Sequence, residues 1–134
     1  MIDPITTYIL NELEDWKKDW PEIKLGKWDV QLRRYGHSGK ICSEAKSRTI
    51  INGVKRNLKN IYRYALDNAY KSYKDYKGKK SIDKQKYAKR VNAYCLEIRS
   101  DCSVVVLFDD KISDHSLEVE LSRTFKPLRV GFEG

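Results

Sequence analysis

The stretch from about Arg48 to Lys77 constrains this chain more than any other. Ile50, Val54, Leu58, Ile61, Ala65, Ala69, Tyr73 and Tyr76 recur there at intervals of three and four. That spacing predicts one long amphipathic helix with a tyrosine-rich second half. Its outer side carries Lys55, Lys59 and Arg63 at i, i+4 spacing. Gly78 in "KGKK" supplies the stop. Ser81 is placed to cap a short second helix over "IDKQKYAKRV", with Ile82, Tyr87 and Val91 turned inward. An apolar stripe of that length has to be buried against another layer.

The last third supplies that layer. Tyr94, Leu96 and Ile98 alternate, Val104 to Phe108 is apolar on both faces, Leu117, Val119 and Leu121 alternate with Glu118 and Glu120, and Leu128, Val130 and Phe132 close the chain. Short connections between these runs favour a four-stranded antiparallel meander. Ahead of the long helix, "DPITTYILNELEDWKKDWP" reads as an N-terminal helix capped by Asp3 and ended by Pro21. Trp28, Val30 and Leu32 then mark a strand, "GHSG" a turn, and Ile41 to Lys46 a return strand. The expectation is a single α+β domain over 1–134: N-terminal helix, β-hairpin, long amphipathic helix and four-stranded antiparallel meander, with the helices on one face of the sheet.

The expected hairpin holds a D…E-x-K pattern, Asp29 with Glu44 and Lys46. Metal-dependent nucleases use that order on neighbouring strands. Two carboxylates hold Mg²⁺ through hard oxygen ligands, the metal activates water, and a lysine assists at the phosphate. With the turn centred on Gly36 to Gly39, Asp29 falls opposite Lys46 and Gln31 opposite Glu44, all on one face. The same register makes an ordinary cross-strand ion pair. The resemblance to restriction-endonuclease-like nucleases rests on these three residues plus Glu12 as a further acid.

Charge is unevenly distributed. Residues 1–30 hold four Lys/Arg against seven Asp/Glu, 31–100 nineteen against five, and 101–134 four against seven. A basic middle of this kind suits an anionic partner, either nucleic acid or an acidic protein surface. The row Lys55, Lys59, Arg63 with Tyr62 and Tyr64 could hold phosphates and stack bases. Tyrosine is equally an interface residue for protein contacts. No basic segment leads into an apolar run, so a soluble, unsecreted protein is expected. Three cysteines, Cys42, Cys95 and Cys102, without C-x-x-C, suggest reduced thiols and no zinc site. Cys95 and Cys102 flank a turn and could approach each other. His37 and His115, the only histidines, read as turn and strand-entry residues. No cofactor motif is present.

The segments "LEIRSDCSVVVLFDD", "DHSLEVEL" and "TFKPLRVGFEG", carrying Asp109, Asp110, His115, Ser116, Leu117, Glu118, Val119 and Gly134, resemble the ending of a family of small bacterial immunity proteins. The preceding "KNIYRYALDNAYKSYKDY…SIDKQKYAKRV" is similar to that family's long helix, linker and short helix. Ser113 and Asp114 stand where the family often has an aromatic-glycine pair. What the resemblance implies is a cytoplasmic, non-catalytic inhibitor that binds a cognate toxin domain, as in contact-dependent growth inhibition, without cofactor or metal. Contact through Lys55, Lys59 and Arg63 would require an acidic toxin surface. Contact through Asp109, Asp110, Asp114, Glu118 and Glu120 would suit a basic one. Two alternatives stand beside it: the Mg²⁺-dependent nuclease using Asp29, Glu44 and Lys46, and a nucleic-acid-binding module using the basic helix.

Overall fold

The computed structural model describes residues 21–37, 40–111 and 116–133. The expected N-terminal helix lies outside them. The described chain is α+β: strands β1 (Glu22–Leu25), β2 (Trp28–Arg34), β3 (Gly36–His37) and β4 (Lys40–Ile41), helix α1 (Glu44–Lys77), a 3-10 turn (Gly78–Lys80), helix α2 (Lys84–Ala88), and strands β5 (Asn92–Ile98), β6 (Val104–Asp109), β7 (Ser116–Leu121) and β8 (Pro127–Glu133).

The main sheet has six strands in the order β1-β2-β5-β6-β7-β8. Strands β5 to β8 pair antiparallel in sequence order. The sheet is mixed and larger than the expected four, because β2 joins β5 in parallel, with Leu32 beside Leu96 and Arg33 beside Glu97. A parallel pair needs a crossover of a dozen residues or more, and α1 with α2 provides it.

The expected return strand over Ile41 to Lys46 is corrected. Strand β2 pairs with β1 instead, Asp29 lying beside Lys24 and Val30 beside Ile23. The short β3–β4 hairpin forms a separate two-stranded sheet. Ser43 explains the difference. Its hydroxyl accepts the Lys46 backbone N–H and Glu44 occupies the first turn, so "SEAK" is an N-cap followed by helix. Pairing of that segment with β2 is thereby forgone.

At 34 residues, α1 is about 51 Å long, well beyond a seven-residue strand of about 23 Å. Its first half covers the sheet. Ile50, Val54, Ile61 and Ala65 are buried there with Leu25, Val30, Leu96, Val106, Phe108 and Val119. Gly26, in the β1–β2 turn, has φ +60, and a Cβ there would meet the Leu58 side chain at 2.9 Å, so the turn and the helix approach both depend on glycine. The second half of α1 packs on α2 through tyrosines. Tyr73 stacks on Tyr87 at 4.7 Å, Tyr70 OH donates to the Ile82 carbonyl, and Tyr73 OH accepts the Ile82 N–H. On the opposite face of the sheet, Cys95, Val105 and Leu107 form a second, smaller buried cluster.

The expectation of free thiols is also corrected. Cys42 and Cys102 are disulfide-bonded, with Cα atoms 5.4 Å apart across 60 residues of sequence. The bond ties the start of α1 to the β5–β6 turn. Cys95, the expected neighbour of Cys102, is free and buried.

Candidate functional site

The D…E-x-K residues are not brought together on paired strands. Asp29 sits near the start of β2, where its carboxylate pairs with Lys24 at 2.8 Å. Glu44 and Lys46 lie in the first turn of α1, beyond the far end of β2. Five residues of strand separate the two ends, about 17 Å. Glu44 is paired with Arg48 at 2.9 Å along the helix. Among the described residues no group of three or more His, Cys, Asp or Glu side chains could hold a metal ion. Glu12, Asp114 and His115 lie outside the described residues.

The acidic residues named from the sequence do not make one patch either. Asp110 is 8% exposed and its carboxylate accepts the Tyr87 hydroxyl proton at 2.7 Å. Burial, then that hydrogen bond, pushes the Tyr87 phenol well above its ordinary range. Asp109 caps the turn after β6 by accepting the Lys111 N–H. Glu118 and Glu120 are on β7, and Glu120 is paired with Arg129 of β8 at 2.7 Å. Asp110 is therefore a core group, and the two glutamates belong to a different strand and face.

The basic residues behave differently. Lys55, Lys59 and Arg63 are all exposed, on the side of α1 away from its buried stripe of Ile50, Val54, Ile61 and Ala65. They form a row about 12 Å long. No ion pair holds any of the three among the described residues. The acids nearest the row are engaged elsewhere, Glu44 with Arg48 and Asp67 with Lys84, and Asp83 ahead of α2 is paired with Lys86; Asp75 lies about three turns beyond Arg63. Like charges at i, i+4 cost an isolated helix about 0.2–0.5 kcal/mol per pair. The three cations therefore repel one another weakly along the helix, with no ion pair among the described residues to offset that repulsion.

Comparison with protein-family models, with curated proteins and with solved structures gave no match.

Tyr62 and Tyr64 are less open than the three cations beside them. Tyr62 packs 5.1 Å from Trp28, and its hydroxyl donates to the Ala88 carbonyl at 2.8 Å. Tyr64 is half-buried against the core. The exposed aromatic of α1 is Tyr76, at its far end, with Lys77 above its ring. Arg56, Lys71, Lys74, Lys79, Lys80, Lys89 and Arg90 are exposed as well. They extend the positive surface from α1 onto α2, which only the charge excess of the middle third foreshadowed.

Proposed function

We propose that this protein is a stoichiometric inhibitor, an immunity protein that binds a cognate bacterial toxin domain through the basic outer face of α1. One observation carries the reading: an ordered row of uncompensated cations, Lys55, Lys59 and Arg63, held on a helix whose opposite face is anchored in the core. Rigid, single-sign surfaces accelerate association with a partner of opposite charge and reject like-charged ones. The toxin surface is accordingly acidic where it meets α1. The basic row is preferred over the acidic residues Asp109, Asp110, Glu118 and Glu120 because Asp110 is buried and Glu120 is paired with Arg129. The resemblance of the chain's ending to immunity proteins supports the class.

The same row would suit nucleic-acid phosphates. The protein partner is favoured because the adjacent tyrosines are occupied in packing, leaving charge without stacking surface. The test is co-expression with the C-terminal domain of a large secreted protein encoded beside this chain's gene. Protection from that domain, with a one-to-one complex on purification, is the expected result. Mg²⁺-dependent nucleic-acid cleavage by the purified chain, lost in Glu44→Ala, would replace this reading with the nuclease one. Salt-sensitive binding to nucleic acid with no protection would replace it with the third.

A further inference from the structure

Among the described residues, strand β8 ends the sheet, paired on one side only with β7. An edge strand of seven residues offers a row of backbone donors and acceptors, and most proteins guard such edges with outward charge, proline or bulges. Here the guards are displaced. Pro127 stands at the first position of the strand, where it interrupts little. Arg129, the charge in the middle, turns back to pair with Glu120 at 2.7 Å. The bulge lies at the Glu120/Leu121 end of the pairing. Between these, Leu128 is 57% and Phe132 48% exposed, two of only four large apolar side chains so open among the described residues.

The sequence of the edge is close to self-complementary. "LRVGF", Leu128 to Phe132, reads large apolar, Arg, Val, Gly, large apolar. An antiparallel pair of such strands with its two-fold axis at Val130 sets Leu128 against Phe132 of the second copy, twice. It sets Val130 against Val130, and Arg129 against Gly131. The space above Gly131 is open: the nearest atom to a Cβ there is Glu118 Oε2, at 4.0 Å. The second copy's Arg129 thus meets no steric obstacle at that position. Centring the pair on Arg129 would oppose two like charges. Centring it on Gly131 would set Arg129 against Glu133, but would draw Arg129 from Glu120 and leave Leu128 without Phe132. A slip of one residue would put apolar and polar faces together.

We propose that the chain forms a symmetric dimer through β8, in the register centred on Val130, joining the two six-stranded sheets edge to edge. The proposal is independent of the α1 contact, which lies on another element. Sedimentation equilibrium on the full chain, from about 5 to 500 µM, tests it. The expected result is a reversible dimer, weakened at least about tenfold by Leu128→Glu and separately by Phe132→Lys. Unchanged circular dichroism establishes that each variant is folded. The double variant L128E/F132K sets Glu against Lys twice and is expected to regain association, more so at low salt. A chain that stays monomeric throughout, a dimer indifferent to both single variants, or a double variant no better than the singles would each overturn the proposal.

Discussion

At the scale of single residues, two sites make opposite demands on what looks like a routine substitution. Gly53 lies in the middle of α1, where alanine is ordinarily better by about 1 kcal/mol. The ring of Phe125 occupies the place a Gly53 Cβ would take, and Phe125 itself sits at φ 65. Gly53→Ala is therefore expected to destabilise the protein by about 1–3 kcal/mol, read as a lower midpoint in urea. A stabilised variant would show that the ring moves aside freely. Tyr87 is the second site. Its phenol is raised by burial and then by Asp110, so the folded state keeps the proton that the unfolded chain releases near pH 10. That contribution to stability is complete below pH 10 and is lost as pH climbs beyond it. Absorbance titration should show Tyr87, Tyr62 and Tyr35 ionising late, all three being raised by burial. Tyr87→Phe should flatten the fall in stability above pH 10. The Cys95 thiol, pushed up to about 12 chiefly by burial, should resist alkylation until the protein unfolds.

At the scale of elements, the long helix and the strands of the last third were legible because each is a long, unbroken periodic pattern. The hairpin was not. Alternation at Trp28, Val30 and Leu32 identified a strand but not its partners, and the partners are β1 and β5. Pairing between segments some 64 residues apart leaves no local trace. One local trace was present and outweighed: Ser43, followed by Glu44 and Lys46, is a helix start, and reading Ile41 to Lys46 as strand gave Glu44 and Lys46 a shared face with Asp29 that they do not have. The disulfide was hidden for the same reason as the pairing, since Cys42 and Cys102 meet only once α1 has crossed the sheet. It closes a loop of 60 residues that contains both helices and β5. Cys42→Ser, or reduction of the wild type, is expected to cost about 2–4 kcal/mol. Equal denaturation midpoints with and without a thiol reductant would contradict this.

For the whole molecule, the described fold divides its charge by side. The sheet face under α1 is apolar, Glu118, Glu120 and Arg129 stand along β7 and β8, and α1 carries an exposed row of cations outside any ion pair among the described residues, Lys55, Lys59 and Arg63. No helix among the described residues is long and apolar enough to cross a membrane. The charge excess of residues 31–100 was plain from counting. The placing of Lys55, Lys59 and Arg63 on the outside of α1 followed from the 3.6-residue period, and the engagement of nearby acids in local pairs required the structure. The account predicts that binding weakens with rising ionic strength, because exposed charges are screened beyond about 8–10 Å in ordinary buffers.

The proposed contact is tested by calorimetric titration of a candidate toxin domain, one from whose toxicity this chain protects on co-expression, into the wild-type chain and into K55E/K59E/R63E. A one-to-one complex is expected for the wild type, with loss of at least about a hundredfold in affinity for the triple variant and its melting temperature preserved. A triple variant that binds as tightly as the wild type would contradict it.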